Sequence, residues 1–140
     1  MKQISPYLTF SGNCREAMTF YQACLGGELH FQTIGESPLA AKMPKQMKNY
    51  ILHASLINKR IQILATDMVW DEGLQKGNAV SLMLDCSSEK ELRLLYDKLS
   101  AKGTPRHEIE HTFWGAYIGD LTDRFGNNWL LHFEEKKTKK

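Results

Sequence analysis

Long apolar runs are missing from this chain. No stretch of about 18 apolar residues occurs, so no membrane-spanning helix is expected. The N-terminal segment MKQISPYLTF has no apolar core of the kind a secretory signal needs, so no export signal is expected. Cysteine is scarce: Cys14, Cys24 and Cys86 are the three, without Cys-x-x-Cys spacing. An odd number so spaced argues against a disulfide framework and a zinc ribbon, and points to a reducing, cytoplasmic setting. Each thiol reads as a small packing residue rather than a nucleophile. A glycine-rich strand-to-helix loop is also missing, so no nucleotide-like cofactor is expected. Charge of one sign is not in excess. The net charge of +2 rests on four lysines within residues 136–140, and without them the balance is −2. Nucleic acid and membrane are therefore not expected partners. What remains, 140 residues with 42% hydrophobic and 24% charged, fits one domain over residues 1–135 with a basic tail at 136–140.

The residues that are present follow one pattern twice. Ile4, Pro6, Leu8 and Phe10 alternate with Ser5, Tyr7 and Thr9, the period of a strand. Asn13 with Glu16 has the spacing of a capping box, and Ala17, Phe20, Tyr21, Cys24 and Leu25 form one helical face, closed by Gly26-Gly27. Glu28 to Ile34 reads as a strand. Gly35 to Asn49 reads as a polar connection with one helical turn. Tyr50 to Ile57 and Arg60 to Asp67 read as a hairpin. After a linker, Trp70 to Gly77, the order restarts. Ala79 to Cys86 alternates, and Ser88 with Glu91 opens a second helix marked by Leu92, Leu95, Tyr96 and Leu99 and closed by Gly103 and Pro105. Three further strands are predicted at Arg106 to Glu110, Trp114 to Leu121 and Asn128 to Phe133. This predicts an α+β fold of two βαβββ modules, about 3–68 and 78–134. Each helix should cover one face of its sheet, the other faces enclosing a cleft.

Three stretches carry a family resemblance. PYLTFSGNCREAMTFYQACLGGEL, MKNYILHASLINKRIQILATD and VSLMLDCSS resemble the PhnB-like branch of the vicinal-oxygen-chelate (glyoxalase/bleomycin resistance/dioxygenase) superfamily. The most specific piece is TFWGAYIGDLTDRFGNNWLLHF, with its aromatic-Trp-Gly and Asp-Arg-Phe-Gly-x-x-Trp signature. The resemblance implies a cup-shaped mixed sheet and a homodimer. Metal-dependent members of the superfamily carry ligands on the first and last strands of each module, where an ion acts as a Lewis acid. The corresponding positions here are Ser5 or Pro6, Gln62, Ala79 or Ser81, and Leu130. Only Gln62 is a plausible ligand, and one amide does not hold a metal. No metal and no cofactor are therefore expected. The methyltransferase name attached to this branch finds no support in the residues.

Alternation nominates the residues facing the cleft: Tyr7, Thr9, His53, Ser55, Gln62, Ser81, Met83 and His132, with Leu8, Phe10, Leu52, Leu56, Leu84 and Leu131 under the helices. Trp114 is nominated as an aromatic wall, and Trp129 by parity as core. His107 and His111 read as solvent-exposed or as a rim. The expected function is binding of a small molecule without a metal. The alternative is a glyoxalase- or dioxygenase-class enzyme with a non-standard site, using His53 or Tyr7 as acid-base groups.

Overall fold

The protein is described from a computed structural model covering residues 1–135; the expected basic tail lies outside the described residues. The chain separates into two compact units between Gln75 and Lys76. The N-module contains β1 (Tyr7–Thr9), α1 (Cys14–Leu25), β2 (Glu28–Thr33), β3 (Ile51–Ile57) and β4 (Gln62–Thr66). The C-module contains β5 (Leu82–Asp85), α2 (Glu89–Ser100), β6 (Thr104–His111), β7 (Ala116–Thr122) and β8 (Asn128–Glu134). Each is a βαβββ unit, as the sequence pattern predicts. The sheet orders correspond, β1-β4-β3-β2 and β5-β8-β7-β6. The first strand of each runs parallel to the fourth, and the other pairs are antiparallel, so both sheets are mixed.

In the N-module, pairing places Leu8, Ala65, Ala54 and Phe31 in one row, with Leu56 opposite Ile63 and Leu29 in the next. This face meets Cys14, Ala17, Met18, Tyr21 and Cys24 of α1, all buried, and Arg15 lies over the Phe31 ring at 4.9 Å. In the C-module, Leu92, Tyr96 and Leu99 of α2 are buried with Leu121, Trp129 and Leu131 of the sheet. Each large buried apolar side chain contributes about 1.5–3 kcal/mol relative to exposure. Trp129 is core, as its parity predicts. Gly119 makes room for the Tyr96 ring, because a Cβ there would stand 3.1 Å from Tyr96 Cε2.

The structure departs from the sequence reading at identifiable points. β1 begins at Tyr7 rather than Ile4, which is 87% exposed, because pairing with β4 starts only at Tyr7↔Leu64. Leu52 was expected under α1, but Ile51 is fully buried there and Leu52 half-buried. A register break opposite Gln32/Thr33 inserts one residue into β3 and shifts the parity. Asn13 makes no side-chain cap. Asp67, which follows β4, caps α1 instead, its Oδ1 accepting from the N–H of Gly12 (2.9 Å) and Cys14 (3.0 Å). Ser88 does cap α2, accepting from Glu91 N–H at 3.0 Å. Residues 34–47 form three short 3-10 turns rather than one, the first held by a Thr33–Glu36 capping box. Gly103 is not the left-handed residue after α2; Lys102 is, with φ 60°. Gly103 is needed for closeness, since a Cβ there would lie 2.5 Å from the Thr122 carbonyl oxygen. No helix among the described residues is long and apolar enough to cross a membrane.

Candidate functional site

Within each module one sheet face is turned away from the module's own helix. On the N-module sheet, Tyr7, Leu64, Ser55 and His30 lie in one row across four strands. Thr9 pairs with Thr66, His53 with Gln32, and Gln62 with Ile57 and Glu28, all of the same parity. Five sequence-nominated residues, Tyr7, Thr9, His53, Ser55 and Gln62, therefore share one face. The rings of Tyr7 and His53 lie 6.3 Å apart between centroids and are tilted by 32°. Thr66 braces the floor, its hydroxyl donating to the Leu52 carbonyl at 2.8 Å and accepting from Met68 N–H at 3.0 Å.

Several polar groups of this face are open. Among the described residues, the Tyr7 hydroxyl, the His53 ring, the Ser55 hydroxyl and the amides of Gln32 and Gln62 have no hydrogen-bond partner. Charge is confined to the β2 edge, where His30 and Glu28 approach to 3.7 Å. An uncharged surface with an aromatic pair and several open donors and acceptors suits a neutral molecule with a flat apolar part.

The remaining nominated residues belong to the C-module. His132 lies on its open face, in a row with Asp85, Ile118 and Glu110. Its Nδ1 stands 3.1 Å from Asp85 Oδ1. Met83 is on the same face, beside Leu130. Ser81 lies one residue before β5 and is exposed, because pairing with β8 begins only at Leu82↔Trp129. Trp114 sits in the β6–β7 turn, 52% exposed, edge-on to Phe113 at 4.9 Å. The nominated set thus divides between the modules: one group on the N-module face, and His132 and Met83 on the C-module face.

Hollows are also found within single modules. One of about 530 Å³, at the start of α1, is bordered by Asn13, Arg15, Gln46, Asn49 and Tyr50, with Asp67 beneath. Another, about 550 Å³, is bordered by Asp85, Cys86, Phe133 and Glu135. The thiols of Cys14 and Cys86 are poor nucleophiles. Burial, then the nearby Asp67 carboxylate, pushes Cys14 up to about 12. Burial, then Glu91 and Asp85, pushes Cys86 up to about 11.

Sequence reasoning missed two features. Asp67 and Asp123 are almost fully buried carboxylates that organise one turn system in each module. His107 is exposed, as read, but it is also bonded through Nδ1 to Asp120 Oδ1 at 2.6 Å, which the reading did not foresee. His111 likewise pairs with Glu135 at 2.8 Å and stacks on Tyr117. The signal for His107 lay in the alternation of β7, but a bulged β6 hid its partner.

The donor set does not fit the divalent ion of metal-dependent superfamily members. Ser5, Pro6, Ala79 and Ser81 precede their strands, and Leu130 is apolar. Gln62 alone among those positions offers a ligating group. Among the described residues, no three of His, Cys, Asp and Glu are grouped to hold a metal ion.

A sequence model of the 3-demethylubiquinone-9 3-methyltransferase family matches residues 2–132. The chain belongs to this family. The 3-demethylubiquinone-9 3-methyltransferase family chain is 30% identical over 139 residues to Protein YjdN of Escherichia coli strain K12, covering 92% of this chain and 93% of YjdN. It is 34% identical to the crystal structure of protein PA1353 from Pseudomonas aeruginosa, with a TM-score of 0.85 over 97% of this chain and 100% of that one. A Bacillus cereus PhnB protein, described as a putative 3-demethylubiquinone-9 3-methyltransferase, shares the fold at 21% identity and TM-score 0.75, over 94% and 99% of the two chains. A glyoxalase/bleomycin resistance protein/dioxygenase family enzyme from Burkholderia phytofirmans PsJN shares the fold at 13% identity and TM-score 0.62, over 92% and 97%. These likenesses establish the PhnB-like, glyoxalase-type α+β fold for this family member.

Proposed function

We propose that this chain is a small-molecule-binding protein without a resident metal, whose ligand lies on the open face of the N-module sheet. The observation that carries the reading is the Tyr7–His53 ring pair, set among open neutral polar groups on an otherwise uncharged surface. Such a face offers little to an anion and much to a neutral aromatic molecule bearing hydrogen-bonding groups. The methyl transfer in the family name is not supported by the residues. The glycine-containing turn into α1 has its Gly12 and Cys14 N–H groups engaged by Asp67, leaving them closed to a cofactor phosphate or carboxylate. The reading extends to a homodimer in the cytoplasm. Exposed Ile4, Trp70, Val80 and Phe113 favour a protein partner, and buried cysteines that form no disulfide favour a reducing compartment.

Tyrosine and tryptophan emission, titrated with neutral aromatic amides such as benzamides, tests the reading. His53→Ala and Tyr7→Ala should each weaken binding about five- to tenfold, the scale of one lost aromatic contact, with unchanged far-UV circular dichroism. Equal affinity in both variants and the parent would refute it.

A further inference from the structure

The C-module's open face carries an arrangement of its own. The register of β6 on β7 breaks on both sides of His107, between Pro105 and His107 and again between His107 and Glu110. His107 is left paired with Asp120 alone, and their side chains meet at 2.6 Å through Nδ1 and Oδ1. The bulged strand is locked from beneath. The Tyr96 hydroxyl is within donating distance of the carbonyl oxygens of both His107 (3.0 Å) and Asp120 (3.2 Å). Bulges held in this way are a common means of aiming a side chain. The ionised Asp120 carboxylate accepts a hydrogen bond, so it fixes the proton of neutral His107 on Nδ1 and leaves the Nε2 lone pair outward. The ring is 79% exposed and Asp120 is 22% exposed. Among the described residues no partner occupies Nε2.

The same row continues from Asp120 to Leu130 and Met83, an apolar strip ending in a thioether that is 58% exposed. The next row holds Asp85 and Glu110, and neither row contains Lys or Arg. With no fixed cation in either row, the ligand arrives neutral and its anion is held only by the proton it gives to His107. We propose that His107, oriented by Asp120, is a proton-accepting site for a neutral phenol lying on the Met83–Leu130 strip. The phenol O–H bond breaks and its proton forms a bond to Nε2. The electron pair stays on the phenolate oxygen, which is held by the new Nε2–H of the imidazolium while Nδ1–H stays bonded to Asp120. Methionine sulfur beside an aromatic ring suits this ligand class.

The probe is p-nitrophenol, whose ionised form is coloured, at a pH where the free probe is mostly neutral. Added protein should raise the phenolate band saturably. His107→Gln should abolish the rise, and Asp120→Asn should reduce it about tenfold, the scale of one charge-assisted hydrogen bond. Lys90→Gln, an exposed substitution on α2, should leave it unchanged. Nitrogen-15 correlation spectra of the histidine rings should place the neutral His107 proton on Nδ1, and near-UV circular dichroism confirms that the variants fold. No phenolate band with the parent protein, an equal band in His107→Gln, or a proton on Nε2 would overturn the proposal.

Discussion

Asp67→Ala should lower the unfolding free energy by about 3–5 kcal/mol, read as a fall in the urea midpoint. Asp67 is 3% exposed and lies just past the end of β4. Oδ1 accepts from Gly12 and Cys14 N–H, and Oδ2 accepts from Ile51 N–H at 2.8 Å. Its own N–H donates to the Ile51 carbonyl at 2.7 Å. One side chain thus ties the entry of α1 to the start of β3. Alanine strands three backbone donors, and each unmade buried hydrogen bond costs about 1–3 kcal/mol. Water reaches the exposed Gly12 turn and recovers part of this, which sets the range. Asp67→Asn keeps one acceptor and should lose less. The contact also bears on the site, because Ile51 leads into His53 and Phe10 N–H, beyond Thr9, bonds the Thr66 carbonyl next to Asp67. A midpoint shift worth less than 1 kcal/mol in Asp67→Ala would contradict this assignment.

The C-module counterpart is Asp123→Ala, expected to cost about 2–4 kcal/mol. Asp123 Oδ1 accepts from Phe125 N–H at 2.8 Å and Asn127 N–H at 3.0 Å, closing the Asp-Arg-Phe-Gly turn. Oδ2 accepts from the Trp129 indole N–H at 2.7 Å. That indole is 1% exposed, so no water replaces the lost acceptor. The effect is smaller than at Asp67 because only the indole is so enclosed; Phe125 and Asn127 sit in a half-buried turn. Thermal unfolding of Asp123→Ala and Asp123→Asn checks the order, with the asparagine variant closer to the parent. Equal melting temperatures for Asp123→Ala and the parent would show that the turn closes without the carboxylate.

What the sequence made legible follows from range. Strict alternation is a local property, and it put Tyr7, Thr9, His53, Ser55 and Gln62 on one face. The βαβββ order was readable because each helix brought its own apolar stripe and stop signals. The misreadings share a cause, which is control of a residue by something distant in the chain. Asn13 had the cap spacing, but Asp67, far along the chain, took the role. Leu52 had the right parity until a bulge opposite β2 put Ile51 in its place. Ser81 alternated correctly, but β8 offers no partner beyond Trp129. His107 is solvated as read, but the irregular register of β6 on β7 hid its bond to Asp120.

The proposal that the N-module face binds a small molecule meets its most direct test in amide chemical-shift mapping with a neutral aromatic amide. The perturbations should centre on Tyr7, Thr9, Gln32, His53 and Ser55, leaving Leu29 and Leu56 of the helix-covered face little changed. Perturbations confined to the Phe113–Trp114 turn or to the hollow at the start of α1, with the five residues silent, would contradict it.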